Sequence, residues 1–160
     1  MAIINFKNVG VSDALLQERL ISRQQEVIPI GFKTPMSFAR TATGGLFEMN
    51  FTVANQIEDN LRNLISTNHG ERIMRYDFGA NLIPLLTDYR TEKDFDSEAT
   101  TRIKTATSKY MPFIELEDYA SQPDVVNGVF TGTILLYVKY SVPKANIASK
   151  TIEVQLTIIN

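Results

Sequence analysis

The hydrophobic period of this chain changes once, at Pro112, and that switch limits the folds open to it. Before it, apolar residues recur at helical spacing; after it they alternate. Ile114 and Leu116 alternate with Glu115 and Glu117. Phe130, Ile134, Leu136, Val138, Tyr140 and Val142 alternate with Thr131, Thr133, Tyr137, Lys139 and Ser141. Ile152, Val154, Leu156 and Ile158 alternate with Glu153, Gln155 and Thr157. A period of two is that of a sheet with one face buried. Pro123-Asp124 with Asn127-Gly128, and then Pro143 to Asn146, supply the turns. The prediction is an antiparallel meander, with the short run at Ile73 as an extra strand at one edge.

Two helical stripes precede it. Val53, Ile57, Leu61, Leu64 and Ile65 share one face of a 3.6-residue repeat. Thr52 is the expected cap, since its hydroxyl accepts an unpaired backbone N–H. Glu58 and Arg62 stand one turn apart in the favourable order. The helix is expected to stop near Asn68, closed by Gly70, which enters the left-handed region at low cost. Gly79 marks a second sharp turn, and Asn81 is a candidate cap for a brief helical turn through Leu86. The second stripe, Phe95, Ala99, Ile103, Ala106 and Tyr110, predicts a helix over 92–110 that Pro112 ends. The class is therefore α+β: an antiparallel sheet of three to four strands covered by two main helices.

The first fifty residues read as a separate unit, 1–50, ahead of an α+β domain over 51–160. Residues 12–23 carry Leu15, Leu16, Leu20 and Ile21 at helical spacing, with Ser12 as cap. Pro29, Gly31, Pro35, Gly44 and Gly45 then argue against long regular elements. Yet Ile28, Ile30, Phe32, Met36, Phe38, Leu46, Phe47, Met49 and Phe51 are too apolar for a disordered linker. The reading is an extended N-terminal arm that buries side chains against its own domain or against a neighbouring subunit.

Composition excludes more than it selects. A chain of 160 residues, 44% apolar and 21% charged, is ordinary globular material for one domain. A net charge of −2 with no basic block leaves no footprint for nucleic acid. The absence of cysteine removes disulfide and thiolate chemistry. Apolar runs are far too short for a membrane span, and residues 1–20 lack the core of a signal peptide. The chain is expected to be made in a cytoplasm and to work there, or to leave it by assembly.

Little here suggests catalysis. His69 is the single histidine and falls in a helix-terminal turn, with no metal-ligand spacing around it. Glu115 and Glu117, two apart on a strand, share a face at roughly 7 Å, a separation inverting glycosidases use. Alternating glutamates are also the ordinary outer face of a half-buried strand. Gly44-Gly45 lacks the lysine and spacing of a phosphate loop. No catalytic residue, cofactor or metal is expected.

The run Leu64 to Leu82, LISTNHGERIMRYDFGANL, resembles the signature of the phage baseplate wedge family. That family includes the sheath-proximal wedge subunit of T-even phages, once described as a tail lysozyme, and TssE of type VI secretion. Thr67, Gly70, Glu71, Arg72, Asp77, Phe78, Gly79 and Leu82 match its pattern, and the order of elements agrees over roughly residues 50–160. Tyr76 stands where members often have proline. Met111-Pro112-Phe113 stands where many have Glu-Pro-Arg, a motif associated with contacts among baseplate components.

The resemblance implies a non-enzymatic structural subunit of a virion tail baseplate, working in a multi-subunit assembly built in the host cytoplasm. Its implied partners are other baseplate wedge proteins, the first ring of the contractile sheath protein, and the tail tube or hub; neither nucleic acid nor membrane is among them. A peptidoglycan-degrading tail lysozyme, or a baseplate component of another contractile injection system, is the alternative. The last strand is then expected to be a free edge that accepts sheath strands through Ile152, Glu153, Val154, Gln155, Leu156 and Thr157, with Lys150 and Glu153 also guarding it against aggregation. Glu71, Arg72, Met111, Pro112 and Phe113 are the other candidate partner contacts, with pairing to each other or to the helix end as the alternatives for Glu71 and Arg72. Gly70 and Gly79 shape the loop, and the arm over 27–51 clasps neighbouring wedge proteins.

Overall fold

A computed structural model describes residues 28–39, 46–87, 92–126 and 129–158. The helix expected over 12–23 lies outside them. In order come β1 (Gly31–Phe32), β2 (Met49–Asn50), α1 (Val53–Ser66), α2 (Ile83–Thr87) and α3 (Glu92–Tyr110). Then follow β3 (Glu115–Val126), β4 (Val129–Val142), a 3-10 turn (Pro143–Ala145) and β5 (Ile147–Thr157). The expected α+β architecture is present, with a sheet of three strands.

β3, β4 and β5 form an antiparallel meander with β4 in the centre. α1 lies over β5 and α3 over β3, side by side on one face. The alternation places Ile134, Leu136, Val138 and Tyr140 of β4, with Ile152, Val154 and Leu156 of β5, under the helices, all buried. They meet Leu61, Leu64 and Ile65 of α1 and Phe95, Ala99, Ile103 and Ala106 of α3. Burial of this apolar surface, at roughly 25 cal/mol per Å², is the main force holding the layers together.

Thr52 caps α1 as expected, its hydroxyl accepting the Asn55 N–H at 3.3 Å. Glu58 pairs with Arg62 at 3.2 Å. Val53, the first member of the stripe, is exposed instead of buried. α3 matches its predicted span, ending at Tyr110 ahead of Pro112.

β3 departs from expectation in two ways. A bulge between Leu116 and Asp118 shifts its phase, so that Leu116 and Tyr119, three apart, both pack against the core. The strand also continues through Pro123-Asp124, where a turn was expected. Proline is tolerated there because β3 is an edge strand, and a second bulge follows between Pro123 and Val125. The Pro143–Asn146 turn forms as expected, with Asn146 at φ 52°.

The run at Ile73 adds no strand; Ile73 sits exposed in a turn. Over residues 28–39 and 46–51 the arm is more ordered than its composition suggested. β1 pairs antiparallel with β2, and Phe38 bridges Phe47, so the segment folds back on itself. It is fastened to α1 by polar contacts. Asp59 Oδ2 accepts from the Thr34 N–H at 3.0 Å and from Asn50 Nδ2 at 2.7 Å, while Asp59 Oδ1 accepts from Arg62 at 2.9 Å. Its apolar side chains Ile28, Ile30, Phe32, Met36, Phe38 and Leu46 remain exposed on the chain.

Candidate partner-binding surfaces

The segment after α1 is built to finish that helix from outside. A helix leaves its last carbonyls without internal donors. Here the chain leaves at Thr67 and returns beneath the helix end. The Ala80 N–H donates to Leu64 C=O at 3.0 Å and the Asn81 N–H to Thr67 C=O at 3.3 Å. The return is possible because Gly79, at φ 113°, has no side chain: a Cβ there would sit 2.1 Å from the Thr67 carbonyl oxygen. Gly70 also has positive φ, 89°, but faces open space.

Two local expectations change. α1 ends at Ser66 with Thr67 extended, so Gly70 does not close the helix; its N–H instead donates to Tyr76 C=O at 2.8 Å. Asn81 does not cap α2. The Ile83 N–H donates to Asn68 Oδ1 at 3.2 Å, and the Asn81 carbonyl accepts from Arg102 at 2.7 Å.

Glu71 and Arg72 do not pair with each other. The Glu71 carboxylate accepts from the Asn68 N–H and Nδ2, both at 2.8 Å, and these bonds hold its pKa below the usual carboxylate value. The Arg72 guanidinium lies 3.8 Å over the Phe78 ring. Phe78 is buried and its ring meets that of Tyr110 at 4.9 Å. Asp77 forms an ion pair with Lys109; that bond, then one with Tyr110, pulls the Asp77 pKa down to about 2. Between loop and α3 runs a groove of about 310 Å³ bordered by His69, Asp77, Arg102, Lys109 and Tyr110.

The Met111-Pro112-Phe113 corner divides its residues. Met111 is buried, Phe113 packs against the core, and Pro112 is exposed.

The sheet has two edges, and they differ. β3 carries two bulges and Pro123, all devices that blunt an edge. β5 runs in unbroken register with β4 from Lys150 to Thr157. The Ile158 N–H donates to Gly132 C=O at 2.9 Å, and Thr133 opposes Thr157. Bonded and non-bonded pairs alternate in an antiparallel ladder. Leu156, Val154 and Ile152 therefore spend their backbone groups on β4, while those of Thr157, Gln155 and Glu153 point away from it. The same strand thus buries Ile152, Val154 and Leu156 in the core and offers backbone donors and acceptors at Glu153, Gln155 and Thr157. Lys150 pairs with Glu58 at 3.6 Å. Among the described residues no strand pairs with that outer edge.

Of the two glutamates on β3, Glu117 is held by neighbours that favour its ionised form. Glu117 bonds Ser149 and pairs with Lys139 at 3.4 Å, and its pKa is lowered, chiefly by the serine. A general acid needs the opposite shift. Glu115 is exposed. His69 Nε2 lies 3.2 Å from the Gly79 carbonyl, inside the loop's own bonding. Among the described residues no three histidine or carboxylate side chains gather as a metal site.

What the sequence pattern missed is the Asp59–Asn50–Thr34 latch. Its one visible signal was an aspartate on the flank of an otherwise clean apolar stripe.

No family model matches the sequence, and no curated protein matches it. The fold does have solved relatives. One is a candidate tail lysozyme from Geobacter sulfurreducens: 21% identity, TM-score 0.53, covering 68% of this chain and 94% of that one. Another is a chain of the anti-feeding prophage baseplate, seen by electron cryo-microscopy with 6-fold symmetry: 22% identity, TM-score 0.55, covering 73% of this chain and 86% of that one. This chain shares their fold.

Proposed function

We propose that this chain is a structural subunit of the baseplate of a contractile phage tail or a related injection machine. It joins wedge proteins near the tail tube and templates the first sheath ring by strand addition. The observation that carries the reading is the contrast between the edges: β3 is bulged twice and carries Pro123, while β5 is regular from Lys150 to Thr157 and turns the backbone groups of Glu153, Gln155 and Thr157 outward. An incoming extended segment satisfies such groups by adding a fourth strand. The baseplate origin of one fold relative supports the reading. The β1–β2 arm, fixed to α1 and apolar outside, is the surface by which wedge neighbours are held; Pro112 is the accessible member of its corner. The subunit acts as scaffold, and the engaged, depressed Glu117 supports that over a lysozyme.

The test is co-sedimentation with the sheath subunit of the same particle. Truncation before β5 would remove Ile152, Val154 and Leu156 from the core, so a single proline is the cleaner probe. Gln155→Pro deletes one outward N–H and leaves the bonded pairs with β4 intact. It is expected to keep the far-ultraviolet dichroism of the parent and to abolish sheath seeding. A folded Gln155→Pro variant that seeds normally would refute β5 as the template.

A further inference from the structure

Residues 70–76 make a closed finger. The Gly70 N–H donates to Tyr76 C=O at 2.8 Å across its base, and the Arg75 N–H to Arg72 C=O at 3.2 Å near its tip. The Glu71 bonds to Asn68 brace one side, and the Arg72 guanidinium seated over buried Phe78 braces the other. The finger therefore has a set shape. Its tip is apolar. Ile73, Met74 and Tyr76 are 89%, 87% and 73% exposed. Met74 holds φ 68°, a left-handed conformation unfavourable for a residue with a side chain. Large apolar groups clustered on a braced, strained loop mark an interaction site.

We propose that this tip is a docking knob that inserts into an apolar pocket with an acidic rim on another baseplate protein. The proposal rests on the baseplate reading above. Charge selects the rim. Arg75 is exposed with no ion-pair partner among the described residues, and Glu71 is turned back to Asn68, so the tip presents net positive charge. Shape selects a protein over a lipid surface. A bilayer demands no set arrangement of inserted side chains, whereas a pocket rewards a ligand already held in its bound form. Methionine adapts to irregular pocket walls, and tyrosine offers a hydroxyl at the rim.

The experiment uses assembled particles and the full chain with p-benzoylphenylalanine at position 74. Irradiation is expected to join the chain to one other baseplate polypeptide, at an apolar peptide carrying Asp or Glu. Peroxide should oxidise Met74 more slowly in particles than in the free chain. The double variant Ile73→Ser with Tyr76→Ser alters only exposed side chains. It is expected to melt like the parent and to enter particles roughly tenfold less, as loss of a central contact does. Met74 equally oxidisable in particles, normal incorporation of the double variant, or cross-linking only to a second copy of this chain would each overturn the knob while leaving the baseplate reading intact. So would flotation of the free chain with phosphatidylcholine–phosphatidylglycerol vesicles that the double variant abolishes. A chain absent from particles altogether would overturn both.

Discussion

At the scale of single residues, the two loop glycines do different work. Gly79 lies where the returning chain crosses the end of α1, and any Cβ would collide with the Thr67 carbonyl oxygen. That oxygen also accepts the Asn81 N–H, so it cannot move without releasing a bond. Gly79→Ala should therefore cost on the order of 3 kcal/mol, combining an unfavourable φ with a backbone clash. For a chain of this size that lowers the melting temperature by roughly 6–12 °C. Gly70→Ala meets only the φ penalty, about 1 kcal/mol, because nothing stands within 4 Å of its would-be Cβ. Calorimetry of both variants distinguishes them; equal losses would mean that the loop rebuilds around residue 79. The sequence identified both positions as turn glycines. It did not rank them, because the obstacle at Gly79 is a backbone atom twelve residues away in the chain.

At the scale of elements, legibility followed how local the cause was. α1, α3 and the three strands were visible because a repeating apolar face is written directly in the order of residues. The length of β3 was not, since proline reads as a turn unless one already knows that the strand is an edge. The arm was half legible. Its apolar content and broken periodicity were plain, but its attachment depends on Asp59, a polar residue among the polar residues of α1. Asp59 is only 6% exposed and serves Thr34, Asn50 and Arg62 at once. Asp59→Ala leaves the Thr34 N–H without an acceptor and takes from the Asn50 amide its shortest bond, leaving it the Phe32 carbonyl and Gln56 at 3.4 and 3.3 Å, a loss of roughly 1–2 kcal/mol. Arg62 retains Glu58. The loss should be local. Hydrogen exchange is expected to quicken at the Ile30 and Lys33 amides, which bond Asn50 and Glu48 across the hairpin, while β4 amides stay protected. If β4 exchanged faster to the same extent, the latch would be part of the global core and not a fastening for the arm. The candidate site divides in the same way: β5 could be named from its alternation, whereas the finger at 70–76 depends on bonds between residues that no periodicity links.

At the scale of the whole molecule, three carboxylates, two in the loop after α1 and one on the sheet, tie stability to acid. Glu71 braces the finger, Asp77 joins that loop to α3 through Lys109, and Glu117 joins β3 to Lys139 of β4 and Ser149 of β5. Each has its pKa lowered in the folded chain, Asp77 to about 2. A carboxylate whose folded pKa lies below its unfolded value binds fewer protons when folded. Its contribution is complete above the unfolded pKa and disappears as pH falls through the folded one. The fold should therefore hold its stability from neutral pH down to about 5 and lose it progressively toward pH 2. All three groups are solvent-exposed, so each contribution is modest and weakened by salt. Urea midpoints taken from pH 7 to pH 2 at low ionic strength give the measurement. Asp77→Asn removes the group with the largest shift, and its curve should be flatter between pH 4 and pH 2 while sitting lower at pH 7. Parallel curves for parent and variant would mean that the Lys109 contact does not persist in solution, and that the loop is held to α3 by contacts such as those of Phe78 with Tyr110 and of Arg102 with the Asn81 carbonyl.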